Sequence, residues 1–305
     1  MRLNWIGRLN LINNVIDGSA MSAAPLVNVL AKLSSLQQRV VTAVVLAPIV
    51  TFIFYLGGAV FVALLMVALM CAYQEWIRIS YRTTAPIWPK KLEYTAMATL
   101  ALTICMAYSV TYALAFALCG IGTVITAIIA HLYLERGPRS AATLSTIGVV
   151  YLGIAGLSLV WLREQGAIVT PQHEWALLLV IILHVWATDT FAYIFGRLIG
   201  GPKLMPRVSP KKTWAGLIGG SISASIVMGW LAGWALLPHA NWFYFLGVVL
   251  AVMAQIGDLI ESHLKRLAGF KDSGTILPGH GGILDRIDGL IMAAPIYAVV
   301  IYVLI

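Results

Sequence analysis

The chain has 305 residues, of which 60% are hydrophobic and only 10% charged, with a mean hydropathy of +0.90. A water-soluble domain carries about 25% charged residues, so this composition excludes a soluble globule and points to a membrane protein. The net charge of +8 suits nucleic acid or anionic lipid as a partner, and the placement of the bases decides between them.

In chain order, residues 1–38 form an N-terminal segment in which Trp5, Ile6, Leu9, Ile12 and Ile16 recur at helical spacing, and Leu26, Leu30 and Leu33 repeat the pattern after Pro25. Two readings stay open for it: a helix lying along the membrane surface, or a poorly ordered tail with Met21 as the true start. No small-residue cleavage site follows a short apolar stretch near the start, so a secretory signal is not expected. About 20 apolar residues cross a bilayer as a helix. Nine such runs follow: Val40–Tyr55, Val60–Trp76, Tyr94–Val110, Tyr112–Leu132, Leu144–Leu162, Ala176–Phe195, Trp214–Leu237, Phe243–Ile260 and Leu290–Ile305. The expected fold is therefore all-α and polytopic, with residues 39–175 as N-terminal transmembrane helices and 176–305 as a C-terminal transmembrane region. Cys71, Cys105 and Cys119 sit in or at the ends of apolar runs without metal-ligand spacing and read as packing or lipid-facing residues.

The connecting segments test this path. Alternate segments hold 19 of the 20 Lys and Arg residues, and Arg163 alone falls on the other side. The positive-inside rule then puts the N-terminus in the cytoplasm and the C-terminus outside. Topology accounts for the basic excess, and nucleic acid is not needed as a partner.

The carboxylates are unevenly placed as well. Six of the twelve fall in the last 120 residues. Asp189 lies inside the sixth span, about 10 Å below the cytoplasmic surface at 1.5 Å per residue, where a carboxylate demands a partner or a cation. A structural, hydrogen-bonded Asp tying helices together is the alternative there. The following loop, with Gly196-Arg197, Gly200-Gly201-Pro202-Lys203 and Ser209-Pro210-Lys211-Lys212-Thr213-Trp214, has the ingredients of a phosphate site at a helix start; taken alone, it equally fits anionic lipid head groups.

On a helix continuing the eighth span, Asp258, Glu261, Ser262 and Lys265 share one face. Asp285 and Asp288, three apart, open the ninth. Between them Pro278-Gly279-His280-Gly281-Gly282 breaks the helix and allows backbone N–H groups to approach a ligand. Carboxylates on two helix ends with bases and a Gly-rich turn between them suit a hard divalent cation such as Mg²⁺ holding polyphosphate oxygens.

The positions Ser262, Lys265, Arg266, Lys271, Asp272, Pro278, His280, Gly281, Gly282, Asp285, Arg286 and Asp288 resemble the signature of the phosphatidate cytidylyltransferase (CDP-diacylglycerol synthase) family. Trp186, Asp189, Ala192, Tyr193, Gly196 and Arg197, with Ser209 to Trp214, resemble it too. The resemblance is specific from about residue 180 onward; Ala215 and Gly289 depart from it, standing where members often carry Glu or Gln and Ser.

The resemblance implies an inner-membrane enzyme that transfers the cytidylyl group of CTP to phosphatidic acid, giving CDP-diacylglycerol and pyrophosphate for phospholipid biosynthesis. It also implies Mg²⁺, a second cation such as K⁺, a homodimer and a cytoplasmic-side site. On this footing Asp258, Asp285 and Asp288 are the expected metal ligands, with Lys265 and Asp189 completing the catalytic set. Ser209, Lys211, Lys212, Arg266, Lys271, Asp272, His280, Gly281, Gly282 and Arg286 are expected at the substrates. His280 is read as a turn or phosphate hydrogen-bonding residue more than a base, because the attacking lipid phosphate is already ionised, and His184 as a packing residue. A transporter with intramembrane charges and a non-catalytic scaffold remain open alternatives, as does another lipid phosphate as acceptor.

Overall fold

The structure, a computed structural model, describes residues 35–82, 88, 90–133, 139–276 and 281–304, with side chains from Val44 onward and excepting that of Arg139. Residues 1–34 of the N-terminal segment and His280 lie outside these; residues 35–38 already belong to the first helix. Nine helices are present among the described residues: α1 Ser35–Leu56, α2 Gly58–Ser80, α3 Lys90–Ser109, α4 Tyr112–Leu132, α5 Arg139–Val169, α6 Ala176–Leu198, α7 Trp214–Trp234, α8 Trp242–Leu267 and α9 Leu284–Leu304. Seven of them, α2 and α4 through α9, are long and apolar enough to cross a membrane. The described apolar part of α1, Val44–Leu56, is shorter, and α3 opens on Lys90, Lys91 and Glu93.

The turns form where the sequence changes. Gly57 takes φ 63°, and a Cβ there would lie 2.2 Å from the Arg163 guanidinium, so the α1–α2 turn has room only for glycine. The Thr111 side chain accepts a bond from Leu114 N and caps α4, which starts within two residues of the end of α3. One segment differs from its expected loop. Lys203–Met205 (β1) and Ser209–Thr213 (β2) form an antiparallel hairpin, and Thr213 then caps α7 by accepting from Gly216 N at 3.1 Å. Thr213 thereby ends one element and begins the next, which fixes Lys211 and Lys212 at the mouth of α7.

Small residues bring the C-terminal helices close together. On α7, a Cβ at Gly220 would fall within 3.0 Å of Ala192 on α6, the close approach by which membrane helices gain packing without a hydrophobic driving force. Gly257 of α8 likewise faces the Asp288 carbonyl of α9, 2.7 Å from where its Cβ would be. These two contacts decide where Asp189, Asp258 and Asp288 sit. The core is a continuous apolar cluster running from Phe61 and Leu69 of α2 through Leu152 of α5 to Leu250 and Tyr297 of α8 and α9. Phe52, Ile128, Ile222, Phe245, Val299 and Tyr302 remain exposed, as a lipid-facing surface requires.

The ends of the bundle differ. At one end Tyr55, His173, Trp175 and Trp234 form an aromatic group with His173 stacked on Trp234 at 4.9 Å, and Arg163 donates to the carbonyls of Phe54, Tyr55 and Glu174. Aromatic rings of this kind favour a membrane–water interface. At the other end the C-termini of α6 and α8, the hairpin and the N-termini of α7 and α9 meet.

Candidate active site

A cavity of about 750 Å³ opens at that second end. Asp189 of α6, Asp258 and Lys265 of α8, and Asp285, Arg286 and Asp288 of α9 line it, facing Ser209, Lys211 and Lys212 of the hairpin. Asp272 of the α8–α9 loop also reaches the wall. All five residues expected to carry the chemistry thus share one cavity. The helical spacing explains the acidic wall: Asp285 and Asp288 lie one turn apart on α9, which begins six residues before the expected span and so carries both inside its first turns.

Asp189, Asp258 and Asp288 share the cavity wall and concentrate negative charge there. Protein groups offset this only in part. Lys212 Nζ lies 2.5 Å from Asp258 Oδ2, Gln255 Nε2 donates to Asp189 Oδ1 at 3.0 Å, and Ser262 Oγ donates to Asp258 Oδ1 at 3.1 Å. Asp189 is open to the cavity although protein surrounds it on most sides. Gln255, one turn before Asp258 on the same face of α8, went unread in the sequence, although its i, i+3 spacing was visible.

Asp285 has a different setting. Its Oδ1 lies 2.5 Å from Lys265 Nζ, and its oxygens accept from Ser273 N and Gly282 N at 2.9 Å. Lys265 also pairs with Glu261 at 3.1 Å, so a buried ammonium links two carboxylates. Glu261, expected on the same polar face as Asp258, is only 3% exposed and belongs to this inner pair. Gly281 takes φ 83°, and a Cβ there would come within 2.7 Å of Asp285 Oδ2, so the turn closes over the carboxylate only because this position is glycine.

Arg266, Lys271, Gly281 and Gly282 lie outside the cavity lining. Arg266 donates instead to the carbonyls of Val208 and Phe270, at 3.3 and 2.9 Å, and so fastens the hairpin to the end of α8. The cavity also takes in Arg197 and Lys203 of the phosphate-site loop and Tyr193, and gains Gln255, which the sequence had not pointed to. His184 is buried with Nδ1 3.2 Å from the Ala224 carbonyl, as expected of a packing residue.

A second missed residue comes from the N-terminal half. Glu75 of α2, 2% exposed, accepts from Ser273 Oγ and Leu284 N at 2.8 Å and from Ile283 N at 3.1 Å. A carboxylate inside an apolar run was the visible signal, but its partners lie about 200 positions away in sequence.

The donor set fits a hard cation. Among the described residues no three His, Cys, Asp or Glu side chains converge closely enough to hold a metal by themselves. One or two carboxylates facing an open, base-lined cavity is the arrangement that leaves Mg²⁺ its remaining positions for water and phosphate. Asp189, Asp258 and Asp288 line that cavity, with Lys212 and Ser262 already against the two oxygens of Asp258, whereas Asp285 is gripped by Lys265 and two backbone N–H groups.

Acidic and basic walls facing each other at one end of a bundle of helices able to cross a membrane define a multi-pass membrane protein with a strongly charged cavity. The chain belongs to the Cytidylyltransferase family, whose sequence model matches residues 37–304. It is similar to a phosphatidate cytidylyltransferase of Brucella abortus, with 33% identity over 263 residues covering 86% of this chain and 92% of the relative. Proteins of the same name from Rickettsia bellii and Rickettsia typhi are 39% identical over 157 residues and 45% identical over 132 residues. These two alignments cover 49% and 39% of this chain, and 65% and 57% of the relatives.

Proposed function

We propose that the chain transfers the cytidylyl group of CTP to phosphatidic acid, releasing pyrophosphate and leaving CDP-diacylglycerol in the membrane. The observation that carries this is one cavity in which a Lys- and Arg-bearing hairpin faces Asp189, Asp258 and Asp288, at the end of helices long and apolar enough to cross a membrane. A phosphate oxygen of the lipid attacks the α-phosphorus; that P–O bond forms as the bond to the β-phosphate breaks, and pyrophosphate leaves. Nucleophile and electrophile are both anionic, so alignment and charge neutralisation supply most of the acceleration.

Lys203, Lys211, Lys212 and Arg197, which line the cavity, would bind the triphosphate, and Arg286 the lipid phosphate. Asp258 and Asp288, with Asp189 beside them, would hold Mg²⁺, which when bound neutralises phosphate charge and orients the leaving group. Lys265 is held between Glu261 and Asp285, and its ammonium stands at the cavity wall where charge gathers on the departing pyrophosphate. The lipid phosphate is ionised already, and no side chain is assigned as general base.

The same reading puts all nine helices across the membrane, with the cavity on the cytoplasmic side and the C-terminus outside. The distribution of 19 of the 20 basic residues supports it. The resemblance to the phosphatidate cytidylyltransferases favours a plasma-membrane homodimer and a second, monovalent cation. The experiment is direct: purified protein with CTP, phosphatidate and Mg²⁺ should yield CDP-diacylglycerol and pyrophosphate in equal amounts. Product with a different lipid phosphate and none with phosphatidate would replace the acceptor. No product with any lipid acceptor would sink the assignment.

A further inference from the structure

We infer that Glu75 is a positioning residue for this reaction: from α2 it anchors the turn that presents Asp285 and Asp288. The inference rests on the cytidylyl-transfer reading for its kinetic consequence, and on geometry alone for the anchoring itself.

Three donors converge on one buried carboxylate, namely the Ser273 hydroxyl and the backbone N–H groups of Ile283 and Leu284. Leu284 opens α9 and Ile283 immediately precedes it; the N–H groups of a helix's first turn lack intrahelical acceptors, and the partial positive charge there suits an anion. Glu75 therefore caps α9 in place of a residue local to that helix, and it draws the loop residue Ser273 to the same point.

The fit is close. A Cβ at Gly274 would lie 2.2 Å from Glu75 Oε1, and one at Gly282 would lie 2.3 Å from Oε2 and 2.0 Å from Ser273 Oγ. Asp285 grips the same turn from the other side, through Ser273 N and Gly282 N. Two carboxylates from helices far apart in sequence thus clamp one segment, and the position of Asp285 on that segment sets its bond to Lys265. Among the described residues Glu75 is the acceptor for both Ile283 N and Leu284 N, and Asp285 and Asp288 ride on that helix end.

Glu75→Gln in the full chain tests this. The amide presents one acceptor oxygen and turns an N–H₂ toward a donor, so at least one of the three bonds is lost while shape is kept. Hydrogen exchange should accelerate tenfold or more at Ser273, Ile283 and Leu284, while amides of α6 and α7 keep their wild-type protection. Per folded molecule, kcat should fall tenfold or more with KM for CTP changing less than threefold. Ser273→Ala, which removes one donor and keeps the carboxylate, should give a smaller change of the same pattern, and it serves as the test should Glu75→Gln not fold. Wild-type exchange at 273–284 in the variants overturns the anchoring. Faster exchange with unchanged kcat overturns the positioning role. A wild-type protein without cytidylyl transfer defeats the functional reading, and the exchange comparison still decides the anchoring.

Discussion

Charge at the cavity is arranged so that each carboxylate has a separate task. Asp288 accepts from the N–H of its own neighbour Gly289 at 2.7 Å, and it shares the cavity wall with Asp189 and Asp258, so it is the position where loss of charge matters most. Asp288→Asn should lower product formation by at least 100-fold in a CTP-to-CDP-diacylglycerol assay while the purified protein elutes and melts as the wild type does. Lys212 bridges hairpin and acidic wall through Asp258. Lys212→Ala should raise KM for CTP about tenfold, the loss expected when about 1.4 kcal/mol of phosphate contact is removed. Lys265 is 7% exposed and pairs with two carboxylates. Its replacement by Met leaves them facing each other without a cation and should destabilise the protein by about 3–5 kcal/mol, measured as a lowered melting temperature in detergent. The acidic spacing of Asp258, Asp285 and Asp288 was legible because i, i+3 periodicity is a local property. Arg266 stands off the cavity lining because its guanidinium donates to two carbonyls, one of them on a residue 58 positions earlier, a competition that spacing alone does not encode.

Among the elements, the pairing of α6 with α7 and the hairpin before α7 govern the basic wall. The hairpin was invisible as such: Lys203–Thr213 carries glycines and prolines before it and no alternating apolar pattern, and its register depends on the cap that Thr213 supplies to α7. Gly220→Leu inserts a side chain where even a Cβ approaches Ala192 within 3.0 Å. Overpacking of that kind costs about 1–3 kcal/mol, and here it separates the helix carrying Asp189 from the one that Lys212 precedes. The expected result is a lower melting temperature together with a higher KM for CTP; a change in melting temperature alone would mean that the helix pair does not set the cavity. The ninth helix begins earlier than hydropathy placed it, because Asp285, Arg286 and Asp288 are polar yet helical. Apolar periodicity reports what faces lipid and says nothing of a polar first turn that faces a cavity.

For the whole molecule, the positive-inside distribution and the up-and-down path agree in gathering the site at one end and Arg163 with its aromatic neighbours at the other. A cysteine at Lys203 should react with a membrane-impermeant thiol reagent only from the cytoplasmic side, and one at Glu174 only from the outside; the reverse pattern would invert the topology. Chelation of divalent cations should abolish turnover, and added Mg²⁺ should restore it. The sequence by itself determined the membrane class, the helical path and the chemical character of the last 120 residues, since hydropathy, charge sidedness and helical spacing are written along the chain. Tertiary structure alone decided which charges meet. It drew Glu75 of the second helix to the start of the ninth, took Arg266 off the cavity wall and separated Asp285 from the carboxylates still facing open space. Each of these outcomes depends on the closest available donor or acceptor in three dimensions, because a buried polar group left unpaired is costly, and that partner can lie anywhere in the sequence.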